Sequence, residues 1–489
     1  MTAQFKLHQD IKLHVKERIS ESDARRQQLT AQAILERLPE QPGVILADEV
    51  GMGKTFVAIA VAVSIALSNR SGGRPVVVMV PSSLKEKWPR DFELFCECCL
   101  PADLAKKLRY GRAEKAVDFL KLLDDPIRKR SSLIFMTHGA MSRGLDDPWV
   151  KLALIQRSLH RRRNTANLKR ALGRNLGDLL QLKRVTRQDS SIWETLLKTP
   201  PSDWLRHLAG LIEGMDDDPV PEDICKLLPS LNTDWIYEAI QQIPIRRTKH
   251  YKAKIVSARH AIKEELREVW KECLAKFRRR LPLLILDEAH HLKNADTRLA
   301  KLFRSQDSFD DAEAIQSGPL AGVFERMLFL TATPFQLGHG ELCSVLDRFD
   351  GVHWKGKSAP SIGRVGFESA RKDLRSSLDR AQESAVALDN AWGKLRESDM
   401  QVNGQRIDEI DSWWKLAQET EHVTPATSEV TACFQSTKAT MRDAEQLLQP
   451  WVLRHLKPRQ LLGNVSKPCL LYTSPSPRDQ RGSRMPSSA

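Results

Sequence analysis

The run Asp48-Glu49-Val50-Gly51-Met52-Gly53-Lys54-Thr55 gathers the residue types that hold a polyphosphate. Gly51 and Gly53 let the backbone wrap, so that N–H groups along Gly51, Met52 and Gly53 can turn toward phosphate oxygens. The apolar helix expected behind them, Phe56–Leu67, adds the positive end of its dipole. Lys54 would reach the β- and γ-phosphates, and the Thr55 hydroxyl would ligate Mg²⁺. Asp48 stands where the general pattern G-x-x-x-x-G-K-[ST] has its first glycine.

A second group, Asp287-Glu288-Ala289-His290, follows an apolar run. Adjacent carboxylates at a strand end suit phosphoryl transfer: Asp287 would hold Mg²⁺ through its water shell, and Glu288 would orient and polarise the attacking water. Alone, Asp-Glu is merely a charged strand end; the phosphate loop upstream gives it meaning. Thr331-Ala332-Thr333-Pro334 ends the next apolar run. Its hydroxyls, Thr331 and Thr333, could bond the acidic pair and link nucleotide state to neighbouring structure, although any Thr-rich turn would look the same.

These residues need a frame, and five short apolar runs supply one. They are Val44–Ala47, Val76–Val80, Leu133–Met136, Leu283–Leu286 and Met327–Leu330, each ending in polar or small residues. Near-continuous Val/Ile/Leu runs indicate strands buried on both faces, hence an α/β fold with a central parallel sheet. Ligands in such sheets bind at the carboxyl ends of the strands, where the polar residues fall. Two long helix-patterned segments interrupt this order: 146–280, and a C-terminal segment over 351–450 in which Ser369–Glu397 reads as an amphipathic pair of helices.

The chain has 489 residues with 76 Lys/Arg against 62 Asp/Glu, a net charge of +14. Arg157–Arg187 holds ten basic residues and one acid, and Ile245–Arg280 thirteen against four, so each block carries +9. Two concentrated blocks suggest a polyanion partner, most simply nucleic acid; solvated helix faces are the alternative. Arg161–Arg163 and Arg278–Arg280 could equally read as localisation signals. No run approaches the ~20 apolar residues of a membrane span, and the first 16 residues lack a secretory apolar core. Eight cysteines make no disulfide framework, which suggests a reducing compartment. The cluster Cys96-Glu97-Cys98-Cys99 lacks the second ligand pair that zinc usually needs.

Taken in order, these motifs resemble superfamily-two helicases and translocases, and most closely the Swi/Snf-type double-stranded-DNA translocases. The family's first motif reads like ILADEMGLGKT, and Ile45–Thr55 is ILADEVGMGKT. Val77–Phe92 (VVMVPSSLKEKWPRDF) resembles its Ia motif, and Asp287–Asn294 its second motif. Gln27 or Gln28 matches the upstream glutamine that reads adenine in this group. Trp451–Lys457 (WVLRHLK) resembles the stretch leading into the family's second lobe, with His455 replacing an arginine, so that only Arg454 carries over.

The resemblance implies a RecA-like lobe over 1–145 and 281–350, interrupted by the basic helical insertion 146–280, which is expected to fold outward as its own subdomain. It also implies ATP and Mg²⁺ as cofactors and double-stranded DNA as partner. Ser82, Ser83, Lys85 and Thr137 are then expected near a tracked strand, while Arg161, Arg162 and Arg163 in the insertion would grip DNA backbone. The Val50-Gly51-Met52 variant leans toward bacterial relatives, implying a cytoplasmic, nucleoid-associated protein. Residues 451–468 are expected as a linker toward a second lobe that would bring arginines to the γ-phosphate. Residues 469–489 (CLLYTSPSPRDQRGSRMPSSA) resemble the translation of a sequencing adapter. On this reading the piece at hand binds ATP and hydrolyses it poorly.

Three functions compete at this stage. The leading expectation is an ATP-dependent translocase on duplex DNA. The second is a strand-separating helicase, or the motor subunit of a restriction or phage-defence system. The third is a non-catalytic, nucleotide-gated nucleic-acid-binding module.

Overall fold

The computed structural model describes residues 5–15, 19–68, 73–141, 144–160, 162–180, 190–209, 217–245, 249–277, 279–292, 294, 297–303, 318–331, 339–420 and 422–455. In chain order its strands are β1 (Gly43–Leu46), β2 (Val76–Val80), β3 (Tyr110–Ala113), β4 (Leu133–Thr137), β5 (Leu284–Leu286), β6 (Met327–Leu330), β7 (Gln401–Val402), β8 (Gln405–Arg406) and β9 (Val452–Leu453). Seven of them form one sheet in the order β3-β4-β2-β5-β6-β1-β9, with parallel pairing throughout. All five apolar runs are strands of this sheet, and the fold is RecA-like α/β.

Burial explains why those runs are strands. Alternate residues face opposite sides: Val76, Val78 and Val80 join the core beneath helices Glu21–Arg37, Lys54–Leu67 and Lys87–Cys99. Val77 and Met79 face the other way, into a larger core. Every residue of β1, β2, β4, β5 and β6 is buried. A strand covered on both sides must be apolar at every position, which is the pattern the sequence shows.

Two strands carried no such signal. β3 is an edge strand with an exposed Arg112 between buried Gly111 and Ala113. β9 has two residues and pairs in parallel with β1: Ile45 N–H donates to Trp451 O at 2.8 Å, and Ala47 N–H to Leu453 O at 2.7 Å. Residues 451–453, expected in a linker, are therefore part of the sheet; residues 456–489, including the adapter-like tail, lie outside the described residues.

The insertion is helical, including Pro148–Leu159, Ala166–Leu180, Asp234–Gln241 and the 25-residue Tyr251–Ala275. It is not walled off from the lobe. Its buried Trp149, Trp193, Trp204 and Trp270 belong to the same continuous core as Val77 and Met79 of β2. Arg279 bridges Asp124 at 2.9 Å and Asp223 at 2.6 Å, fastening the insertion to helix Ala116–Asp124.

In the C-terminal segment, one helix of 32 residues, Gly363–Lys394, replaces the expected pair. With nothing in its interior to stop it, it runs about 48 Å at 1.5 Å per residue and packs along Pro425–Leu448. At the far end β7 and β8 close an antiparallel hairpin through Asn403 (φ 54°) and Gly404 (φ 76°). Two left-handed residues in an Asn-Gly pair match the twist of a two-residue hairpin turn. Trp413 is buried there, and Trp414 lies 5.2 Å from Trp392 and 5.1 Å from Phe434, so these aromatics pack on protein. Among the described residues no helix is long and apolar enough to cross a membrane.

Candidate nucleotide site

Asp287 and Thr331 directly follow β5 and β6, and Asp48 lies one residue further past β1, all at the carboxyl edge of the sheet, as parallel pairing of β1, β5 and β6 requires. The loop after β1 turns through Gly51 and Gly53, both at φ 82°, and Gly53 caps helix Lys54–Leu67. A Cβ at Gly53 would run into the Gln27 side-chain amide, so the loop is pressed onto helix Glu21–Arg37. Lys54 Nζ donates to the carbonyls of Asp48 (2.6 Å) and Glu49 (3.1 Å). Burial lowers the Lys54 pKa, and the carboxylates of Asp48, Glu288, Asp287 and Glu49 act against that shift. The lysine from one motif and the acidic pair from the other, Lys54 and Asp287 being 233 residues apart in sequence, thus lie at the same edge of the sheet.

Asp48 explains its own departure from glycine. Its side chain is fully buried, and Oδ1 accepts the His455 backbone N–H at 2.7 Å with His455 Nδ1 at 3.0 Å. Oδ2 lies 3.7 Å from Arg26 Nη1, and Arg26 Nη2 donates to Met52 O at 3.0 Å. The carboxylate therefore ties the phosphate loop to the chain just after β9 and to helix Glu21–Arg37. Burial lowers the Arg454 pKa, with Glu49 and Asp48 acting in the opposite direction, which places this residue by the same loop.

Beside the loop is a cavity of about 350 Å³, lined by Val15, Ile19, Phe56 and Leu94 with Asp23, Arg26, Gln27 and Cys98. Its apolar walls and few polar groups suit a planar heterocycle. Gln27 is buried, and among the described residues its Oε1 has no hydrogen-bond partner. Gln28 instead lines a different cavity, with His8 and Gln32. Gln27, rather than its neighbour, lines the cavity beside the glycine-turned loop.

At the acidic pair, Asp287 is oriented from several sides. Oδ2 accepts the Trp88 indole N–H at 2.8 Å, Oδ1 accepts the Glu288 N–H at 2.9 Å, and the Asp287 N–H donates to Met79 O at 2.9 Å. His138 Nε2 lies 3.0 Å from the Asp287 carbonyl. A carbonyl can only accept, so Nε2 carries the proton. Burial and the nearby His291 push the His138 pKa down to about 4, and the ring is neutral near pH 7. Glu288 adopts φ 53°, a left-handed conformation that is costly for a residue with a side chain and that clusters at functional sites. Its Oε2 lies 3.2 Å from His290 Nδ1.

The residues present fit Mg²⁺: a hydroxyl at the head of a helix and an oriented carboxylate supply the hard oxygen donors it takes beside phosphate. Thr331 is buried, with its N–H on Leu46 O at 3.1 Å, so it ties β6 to the strand that carries the loop. Thr333 and Arg161 lie outside the described residues. Of the expected DNA contacts, Ser82 and Ser83 are exposed on the turn Ser82–Leu84, and Lys85 is exposed but 2.9 Å from Glu114. Thr137 is buried at the end of β4. Arg162 pairs with Asp234 and lies over the Tyr237 ring at 4.5 Å, while Arg163 is exposed. Burial pushes the Cys96 thiol up to about 11 and Cys99 to about 12, which keeps both protonated near neutrality.

Trp88, His138, Arg26 and the Asp48–His455 contact were not assigned these roles from sequence. The available signals were slight: Trp88 lies six residues after Ser82, and His138 directly follows Thr137.

A glycine-turned loop and an acidic strand end thus lie at the carboxyl edge of one parallel sheet. Residues 21–117 match the SNF2-related domain. A stretch of 82 residues is 37% identical to the Xenopus tropicalis SWI/SNF-related matrix-associated actin-dependent regulator of chromatin subfamily A containing DEAD/H box 1. That match spans 16% of this chain and 8% of the relative's length. Among solved structures, the Sulfolobus solfataricus SWI2/SNF2 ATPase core in complex with dsDNA is similar over 91% of this chain and 60% of its own, with a TM-score of 0.31 and 12% identity. The similarity to the SNF2-related domain thus falls on the stretch that holds the phosphate loop and helix Glu21–Arg37.

Proposed function

We propose that this chain is the ATP-binding front lobe of a motor that translocates along double-stranded DNA. The observation that carries the reading is the placement of the Gly51–Thr55 loop after β1 and of Asp287-Glu288 after β5 at the same carboxyl edge of one parallel sheet, the loop lying in a stretch similar to the SNF2-related domain. ATP would seat its base in the cavity beside Gln27 and its phosphates along the Gly51–Thr55 loop. Lys54, now holding two loop carbonyls, would exchange them for β- and γ-phosphate oxygens. Thr55 and Asp287 would hold Mg²⁺, whose charge helps neutralise the phosphates.

Glu288 would accept a proton from water as the water oxygen bonds to the γ-phosphorus. The bond to the β,γ-bridging oxygen breaks, leaving ADP and inorganic phosphate. The turn Ser82–Leu84 presents exposed hydroxyls beside β2, suited to phosphates of a tracked strand. The insertion's exposed cations would add a sequence-independent, salt-sensitive grip.

Displacement of a triplex-forming strand from duplex DNA tests the reading, using the protein encoded by the complete natural gene. ATP-dependent displacement without duplex unwinding is the expected result. Strand separation would favour a helicase, and nucleotide and DNA binding without turnover would favour a gated binding module.

A further inference from the structure

Trp88 lies one turn of chain beyond the polar residues Ser82, Ser83 and Lys85, near the start of helix Lys87–Cys99. It is 1% exposed, and its ring packs 6.5 Å from Phe135 of β4. Packing would be satisfied by any large apolar side chain. The indole N–H nevertheless reaches across 199 residues of sequence to Asp287 Oδ2 at 2.8 Å.

Because Oδ1 already accepts the Glu288 N–H, the two oxygens have one donor each and the carboxylate plane is fixed. A carboxylate held this way needs no reorientation when it meets a cation or its water shell. The same helix start follows the turn that presents Ser82 and Ser83. Any movement of that turn would therefore reach the carboxylate through one buried ring.

We propose that Trp88 is a positioning residue: its N–H sets the Asp287 carboxylate for Mg²⁺ and makes that setting respond to a phosphate backbone on the Ser82–Lys85 turn. The second half rests on the DNA reading above; the first does not. His138, bonded to the Asp287 carbonyl, supports the main chain at the same point from β4.

The test is equilibrium binding of a fluorescent ATP analogue to this chain, in EDTA and across a Mg²⁺ titration, with and without duplex DNA. Trp88→Phe keeps a ring and removes the donor. Phe92→Leu, in the same helix and core, reports what loss of packing alone does. Melting temperatures are recorded for both.

The expected result for Trp88→Phe is an EDTA affinity within about twofold of wild type and a Mg²⁺-dependent gain reduced about tenfold, the scale of one hydrogen bond to a charged group. The response of that gain to DNA should disappear. Phe92→Leu should lower the melting temperature and leave the Mg²⁺ and DNA responses intact. A Trp88→Phe protein with a wild-type Mg²⁺ response overturns the proposal, whatever its melting temperature. If wild type itself ignores DNA, the DNA reading fails while the Mg²⁺ comparison still decides the role of Trp88. No analogue binding by wild type would overturn both the nucleotide reading and the proposal.

Discussion

The nucleotide site and the basic insertion use charge in opposite ways. At the site, two carboxylates are fixed by the sheet: Asp48 lies two residues past the end of β1, Asp287 directly after β5, and both are bonded to groups distant in sequence. In the insertion, charge rides on helix surfaces, and its meaning depends on neighbours one turn away. Helix Tyr251–Ala275 shows this within itself. Its second half is largely self-paired: Arg267 with Glu264, Lys271 with Glu268, and Lys276, just past its end, with Glu272. Around its start, Lys249, Lys252 and Lys254 are exposed, and among the described residues none forms an ion pair. The +9 of this block is thus unevenly available, and surface ion pairs of the paired kind add only ~0–1 kcal/mol of stability.

The sharpest way to break the comparison is Lys54→Ala. It should weaken ATP binding about 10- to 100-fold, as loss of a charge-assisted contact does, and leave DNA binding by the insertion intact. Titration with a fluorescent analogue checks the first, and duplex DNA binding the second. If DNA affinity falls equally, the two regions are not separable.

A second break, in stability rather than in binding, is Leu378→Ala in helix Gly363–Lys394, where Leu378 is 2% exposed. A buried leucine truncated there should destabilise by about 2–5 kcal/mol, read as a shifted denaturation midpoint, with nucleotide affinity unchanged below that midpoint.

The third change sharpens the contrast inside one helix. Lys252→Glu with Lys254→Glu should cut DNA affinity about tenfold at moderate salt and flatten its salt dependence. Arg267→Glu with Lys271→Glu, in the paired half, should cost clearly less. Equal losses would mean that total charge, not its pairing, governs binding.

The smallest effect belongs to the hairpin tip. Asn403→Ala must hold a left-handed φ without asparagine's local hydrogen bonding. It should cost about 1 kcal/mol of stability, seen as a small drop in melting temperature, with ATP and DNA binding unaffected.

The central sheet was legible because strands covered on both sides must be apolar at every position. β3 was not, because an edge strand needs only every second residue buried, and Tyr110–Ala113 is too short to show the alternation. β9 has two residues and depends on main-chain bonds to β1. The pair of helices expected over Ser369–Glu397 is instead spanned by the single helix Gly363–Lys394, whose interior holds no proline and which packing on Pro425–Leu448 supports along its length. The placement of Lys54, Thr55, Asp287 and Glu288 at the carboxyl edge could be read because each follows an apolar run that the sheet buries. The Trp88–Asp287 bond could not, since no local pattern says where a buried indole N–H finds its acceptor. Arg162 shows the reverse error of charge counting: a basic residue in a basic run that is paired with Asp234 and Tyr237.

The most direct test of the central claim is steady-state ATP hydrolysis by the protein encoded by the complete natural gene, with and without duplex DNA at saturating ATP. A DNA-dependent motor should hydrolyse ATP at least about tenfold faster with DNA, an effect lost in Glu288→Gln, since the energy of a bound polyanion is then coupled to the chemical step. Hydrolysis at the same rate with and without DNA would contradict it.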